Sequence, residues 1–275
     1  MIKDVVVNLS GAAPQDFAAD FAVSLAKSFG AHLTGMAFLY EPVIPDVVMG
    51  GIPVDLIEAQ REEHSKSANA AVTRFEAAAR SAGVQAATRI LDASLAGAAA
   101  TFGQLARRFD IAVVGQANPE RGSGEELMIE GALFESGRPV IVVPYIQRQG
   151  LSLERVMACW DGSRTAARAI GDAMPFLERA KAVDLVVVAE RGKNEEVTGV
   201  NMREHLARHG LKVELKRLAK GDIDIKDALL SYAADSGADF IVMGGYGHSR
   251  LREFIWGGVT RGILTSMTVP ALMSH

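Results

Sequence analysis

Cysteine is nearly absent: the 275 residues hold one, Cys159. An intrachain disulfide is excluded, and a reducing compartment suits such a chain. An excess of basic charge is also missing, since 29 Lys and Arg stand against 33 Asp and Glu for a net charge of -4. A general nucleic-acid binder would show a basic face, so no nucleic-acid partner is expected. No run approaches the roughly 20 apolar residues that span a bilayer. The first residues, Met1-Ile2-Lys3-Asp4-Val5-Val6-Val7, lack the basic start and long apolar stretch of a signal peptide. A cytoplasmic protein without a membrane partner is the expectation. What is present is apolar content, 49% of the chain, enough to build one large core or two of ordinary size.

Glycine is unevenly placed. In Phe240–Ile263 an apolar run stops at Gly244, a loop with Gly245, Gly247, His248, Arg250 and Arg252 follows, and Gly257-Gly258 opens an amphipathic segment. Strand, glycine loop and helix start, in that order, are how α/β folds turn backbone N–H groups toward an anion. The reading competes with a plain one, in which Arg250, Arg252 and Glu253 form a solvated helix face.

Apolar runs and helical periodicity alternate along the whole chain. Strands are expected at Asp4–Asn8, His32–Leu39, Val84–Leu91, Ile111–Gly115 and Val140–Val143. Between them helices are expected at Pro14–Phe29, Leu56–Ala82, Ala96–Arg108 and Glu125–Ser136. The pattern then restarts, with strands at Val156–Trp160, Ala182–Ala189, Leu211–Leu218, Phe240–Gly244 and Val269–Met273. The second set of helices is expected at Arg164–Leu177, Glu195–His209, Ile225–Ser236 and Gly257–Ser266. Strands separated by helical crossovers argue for parallel, doubly wound sheets.

Two copies of one unit align by eye. Asp110-Ile111-Ala112-Val113-Val114-Gly115 matches Asp239-Phe240-Ile241-Val242-Met243-Gly244, and Ser10-Gly11 lies opposite Asp161-Gly162. The first pair is offset by 129 positions and the second by 151, so the first copy holds about 22 extra residues. The segment Glu41–Gln60, rich in Pro, Gly and apolar residues, accommodates most of them as a long loop leading into a helix near Asp55. It would pack on its own domain or serve as a lid, ligand wall or interface. Domains are expected at 1–148 and 152–275, joined by a short polar linker around Gln147–Leu153.

Other constellations carry less. His205 and His209 are four apart on an expected helix, but no partner ligand or general base accompanies them, so a surface pair is the simpler reading. Cys159 ends a buried strand with no base in reach and reads as an inert thiol. Ser163 lacks a nucleophile elbow and suits the N-cap of the helix beginning at Arg164.

Three separated motifs now stand in order: Asp161-Gly162-Ser163 after a strand, Gly221-Asp222 after the third strand, and Gly244-x-x-Gly247 followed, after nine intervening residues, by Gly257. Together they resemble the universal stress protein family, as a tandem of two domains. The resemblance implies two flavodoxin-like (adenine nucleotide alpha hydrolase-like) folds. It implies an adenine nucleotide, ATP or AMP, with or without magnesium, across the carboxyl ends of the strands. Asp161 would face the ribose or adenine end, Val188 or Ala189 the base, and Gly221 the sugar. Gly244, Gly247 and Gly257 would shape the phosphate loop, with backbone N–H groups around His248, Ser249 and Gly258 donating and Arg250 adding a cation.

Domains of this family usually pair through their last strands, so Val140–Val143 and Val269–Met273 are expected to form the seam; a homodimer and a protein partner stay open. The implied role is a nucleotide-responsive stress protein with little or no hydrolysis, since no acid–base pair stands out beyond Asp161. The alternative is a module without nucleotide, recruiting protein or a hydrophobic ligand through its first domain.

Two departures matter. ATP-binding members usually carry Ser or Thr directly after the last motif glycine, where this chain has Gly258. Losing a hydrogen bond to a charged group costs about 1.5–3 kcal/mol, roughly ten- to a hundredfold in affinity. Ser249, Thr260 or the arginines are the available substitutes. In the first domain the counterpart loop runs Gly115–Leu127, where Pro119 removes a donor and Glu120, Glu125 and Glu126 oppose phosphate. Ser10 replaces the acidic residue, so a degenerate structural copy, a regulatory partner or a site for another ligand is expected there.

Overall fold

The computed structural model describes residues 1–11, 15–41, 54–118, 124–189, 199–219, 223–246 and 258–275. The chain divides into two compact units, Ile2–Arg138 and Pro139–His275 together with Met1.

In the N-terminal unit the strands are β1 (Asp4–Asn8), β2 (His32–Tyr40), β3 (Ala86–Ala93) and β4 (Ile111–Gly115). The helices are α1 (Phe17–Phe29), α2 (Val54–Ala82), α3 (Leu95–Ala106) and α4 (Gly124–Glu135). The strand order is β3-β2-β1-β4, and the pairs β1–β2, β1–β4 and β2–β3 are all parallel. Val5–Val7 and Ile111–Val114 are buried throughout, which is why these central strands are unbroken apolar runs rather than alternating ones. Helix α1 starts at Phe17 because Asp16 caps it, its carboxylate accepting from the Ala19 amide at 3.0 Å. Helices α3 and α4 cross in backbone contact. A methyl group on Gly131 would lie 2.2 Å from the Ala99 carbonyl oxygen, so only glycine fits.

In the C-terminal unit the strands are β5 (Val140–Val143), β6 (Arg155–Cys159), β7 (Ala182–Ala189), β8 (Val213–Ala219), β9 (Phe240–Gly244) and β10 (Ala271–Ser274). Helices α5 (Arg164–Leu177), α6 (Val200–Arg208), α7 (Ile225–Ser236) and α8 (Gly258–Ser266) connect them. The order is β5-β10-β9-β6-β7-β8. All pairs are parallel except β5 with β10, where Ala271 opposes Val142 and Met273 opposes Val140. The last strand of the first sequence repeat thus adds to the second unit's sheet, the pairing that the tandem resemblance implies. It also covers an edge of β10 that would otherwise be open.

Both units are doubly wound α/β sheets, and the fold class expected from the sequence holds. β1, β4, β5 and β9 fall where the apolar runs place them, whereas β6, expected at Val156–Trp160, is Arg155–Cys159 and β10, expected at Val269–Met273, is Ala271–Ser274. The two edge strands also shift: Val84–Leu91 and Leu211–Leu218 were expected, whereas β3 is Ala86–Ala93 and β8 is Val213–Ala219. Both are largely solvated, so their sequence pattern is loose, and pairing with the neighbour sets their ends. The expected loop of the first copy lies mostly at 42–53, outside the described residues. The helix expected near Asp55 begins at Val54.

One carboxylate is fully buried inside the second sheet among the described residues. Asp184 on β7 is fully buried, takes two hydrogen bonds from Arg155 Nη1 at 3.0 and 2.9 Å, and a third from the Tyr232 hydroxyl at 2.9 Å. A buried carboxylate is tolerable only when paired in this way.

Candidate functional site

In a doubly wound sheet the ligand crevice opens where the strand order reverses. In the C-terminal unit that point lies between β6, which continues to β7 and β8, and β9, which continues to β10. Asp161 follows β6 by two residues and Gly244 ends β9, so they flank the switch point. Val188 and Ala189 end the neighbouring β7, paired with Leu218 and Ala219.

The turn after β6 is closed locally. Asp161 Oδ1 accepts the Ser163 amide at 2.8 Å, Gly162 has φ 79°, and the Ser163 hydroxyl accepts from the Ala166 amide at 3.1 Å. Ser163 is therefore the N-cap of α5, as its position after Asp161-Gly162 predicts. The positive φ is what requires glycine at 162. Asp161 itself is exposed at the strand ends.

Gly244 lets α5 approach β9. A side chain there would meet the Ala166 nitrogen at 2.6 Å and the Thr165 hydroxyl oxygen at 2.7 Å. Beyond it, Gly245 donates to the Ser274 carbonyl at 2.9 Å, with the His275 ring Nδ1 3.2 Å from the Gly245 carbonyl oxygen. Tyr246 takes φ 51°, and its amide donates to Thr260 Oγ1 at 3.2 Å. That bond ties the loop's start to the first turn of α8. It also fixes the buried Thr260 side chain, whose oxygen accepts from the loop while its hydroxyl proton is left to donate. Gly258 is the first residue of α8, and a side chain on it would meet nothing within 4 Å. Gly221, Gly247, His248, Ser249, Arg250 and Gly257 lie outside the described residues.

The N-terminal unit has the same switch point, between β1 and β4, but fills it differently. The Ser10 amide donates to Asp16 Oδ2 at 2.7 Å, and burial pushes the Asp16 carboxyl up. Arg74 on α2 reaches the Ser10 carbonyl at 3.4 Å, and Ser67 packs against Gly11 so closely that a side chain on Gly11 would lie 2.3 Å from its hydroxyl oxygen. One turn earlier, the His64 ring meets the Tyr40 carbonyl at 2.7 Å. The middle of α2 thus leans on the ends of β1 and β2. Its 29 residues compare with 9 in the counterpart α6, so the extra length of the first copy continues into this helix. Glu125 and Glu126 fall in the first turn of α4, where they suit the helix dipole and would repel phosphate.

The remaining sequence candidates are now placed. His205 and His209 lie edge to face, ring centroids 4.9 Å apart, at the end of α6. The Cys159 thiol is pushed up to about 12, first by burial and then by the Asp161 charge, which keeps it protonated. Asp16, Asp184 and the long α2 contacts escaped sequence reasoning. Asp16 was detectable, since Asp before an apolar-periodic run is an N-cap signal. No helix among the described residues is long and apolar enough to cross a membrane.

Comparison with known proteins agrees with this architecture. The model of the universal stress protein family matches residues 152–275. A universal stress protein of Synechocystis is 24% identical over 142 residues, covering 49% of this chain and 46% of the relative. The chain therefore spans about half the length of that curated relative. Among solved structures, a universal stress protein from Archaeoglobus fulgidus superimposes with a TM-score of 0.70 at 17% identity, covering 98% of this chain and 97% of its own. A functionally unknown protein from Pseudomonas aeruginosa gives 0.65 at 15% identity, covering 99% and 92%. Residues 152–275 are thus similar in sequence to the universal stress protein family, and the whole chain shares the fold of a solved universal stress protein.

Proposed function

We propose that the second domain, residues 152–275, binds an adenine nucleotide, ATP or AMP, and that the protein acts as a nucleotide-responsive regulatory or protective module with little or no hydrolysis. The observation that carries this reading is the switch point between β6 and β9, flanked by Asp161 and Gly244, with the N-terminus of α8 opening at Gly258. Adjacent parallel strands end there, and a helix start supplies unpaired N–H groups of the kind that hold phosphate. The close fit of Gly244 against α5 leaves that end of the crevice without a side chain.

In this reading Val188 and Ala189 line the base, Asp161 and Gly221 the sugar, and the Gly247–Gly258 backbone the phosphates. A bound ATP would bring its own triphosphate charge, with or without magnesium. Slow turnover fits the committed state of Asp161, which already accepts the Ser163 amide. The first domain, residues 1–148, serves as a structural or regulatory copy, because α2 leans on its strand ends and acidic residues open α4. A cytoplasmic setting and a protein partner complete the proposal.

Calorimetric titration of the intact protein with ATP, ADP and AMP tests it, beside a Gly247→Glu variant that places a carboxylate in the phosphate loop. Saturable heat with the native chain and its loss in the variant are expected. Absence of both heat and melting shift with all three nucleotides at millimolar levels would show the reading to be wrong.

A further inference from the structure

A cavity of about 200 Å³ lies in the N-terminal unit where α2 meets the ends of β2 and β3, lined by Tyr40, Glu41, Arg61, His64, Ser65 and Asp92. We infer that it is a binding site for a small zwitterion of the α-amino acid class, separate from the nucleotide site proposed above.

Rigid elements bring these six residues together. Leu39 pairs with Asp92 and Tyr40 with Ala93, and the Glu41 amide continues the ladder to the Ala93 carbonyl at 3.1 Å. Glu41 and Asp92 therefore stand on neighbouring strand ends. Arg61, His64 and Ser65 are spaced i, i+3, i+4, which sets them on one face of α2. Carboxyl ends of parallel strands are where α/β sheets present ligand sites.

The wall carries both acceptor and donor groups. Because a carbonyl oxygen only accepts, the 2.7 Å contact from His64 Nδ1 to the Tyr40 carbonyl makes Nδ1 the protonated nitrogen. In the neutral ring Nε2 is then an acceptor. Glu41, Asp92 and His64 Nε2 give three acceptor groups, matching the three N–H donors of an ammonium. Arg61 and the Ser65 hydroxyl, which already accepts from Asn69 Nδ2 at 3.3 Å and keeps its proton to donate, match a carboxylate. The Tyr40 ring, edge to face with His64 at 6.4 Å, supplies an aromatic wall. Size narrows the class further. The volume is under the roughly 300 Å³ at which drug-sized pockets begin, a scale that suits an amino acid.

Saturation-transfer NMR on the full chain, with L-serine, L-glutamate and L-lysine as probes, tests the site. Ethanolamine, lacking a carboxylate, and acetate, lacking an ammonium, are the one-ended comparisons. Arg61→Gln and Asp92→Asn each remove one charge from an exposed position. Lys66→Gln, at a lysine paired with Glu62 at 2.7 Å and 74% exposed, is the helix-surface control. At least one amino acid is expected to saturate in the millimolar range, about tenfold more weakly in either site variant and unchanged in Lys66→Gln. The inference is overturned if none of the three saturates, if ethanolamine or acetate binds as well as the amino acid, or if both site variants bind like the native chain. A nucleotide result in the second domain bears on none of these outcomes.

Discussion

Replacing Gly258 by serine should tighten ATP binding. The position opens α8, and a side chain built on it meets nothing within 4 Å among the described residues, so serine enters without a clash there. A hydroxyl at a helix start facing phosphate forms a charge-assisted hydrogen bond of about 1.5–3 kcal/mol, roughly ten- to a hundredfold in Kd. Thr260 keeps a proton to donate, but it is buried two residues further into α8 with its oxygen held by the Tyr246 amide at 3.2 Å. The substitution also removes a helix glycine, worth about 0.5 kcal/mol in stability of the free protein. Gly258→Ala separates the two effects, since it gains helix stability without a hydroxyl. Calorimetry of native, Ser and Ala proteins with ATP is the assay, with thermal melts of the free proteins alongside. Equal Kd for the Ser and Ala variants would refute the hydroxyl argument. Tightening by both would assign the gain to helix preorganisation instead.

Other expectations follow from the fold. Asp184→Ala strips Arg155 and Tyr232 of a shared acceptor; with Arg155 35% exposed and able to rehydrate, the loss should be about 2–3 kcal/mol in urea unfolding, and an unchanged midpoint would contradict the network's role. Gly131→Ala drives a methyl into the Ala99 carbonyl and should cost about 1–3 kcal/mol, lowering Tm by several degrees; a neutral result would mean that α3 and α4 separate freely. Alkali should destabilise the protein. The Tyr232 hydroxyl, by burial and its bond to Asp184, and the Cys159 thiol, by burial, are each raised to about 12 from 10.0 and 9.0. The unfolded chain loses these protons first, so stability is retained below pH 9 and falls as pH rises from about 9 to 12. Tyr232→Phe with Cys159→Ser should flatten that fall in melts across the window. Cys159, half-buried with its thiol raised to about 12, should also resist alkylation at neutral pH in the folded protein and react once unfolded; rapid labelling of the native thiol would contradict that raised value.

The sequence was most readable where burial is complete. β1, β4, β5 and β9 match their apolar runs residue for residue, because a strand covered on both faces has no polar positions to blur its ends. The edge strands β3 and β8 were shifted by about two residues, since solvated positions such as Arg89 and Lys216 carry no such constraint. Ser163 as a cap was legible from one residue type before a helix. The Asp184–Arg155 pair was not, as it joins neighbouring strands whose register appears only in the folded sheet. The same holds for the second unit's claim on β5, which depends on its pairing with β10, and for the lean of α2 on Tyr40 and Gly11. The candidate site was read from an ordered set of motifs, of which the fold places Asp161 and Gly244 on either side of the switch point.

Photolabelling with 8-azido-ATP, followed by peptide mapping of the intact chain, tests the central claim most directly. The account predicts label in peptides from residues 152–275, near Val188 and Ala189 at the end of β7, displaced by excess AMP. Label confined to residues 1–138, or none that AMP displaces, would contradict it.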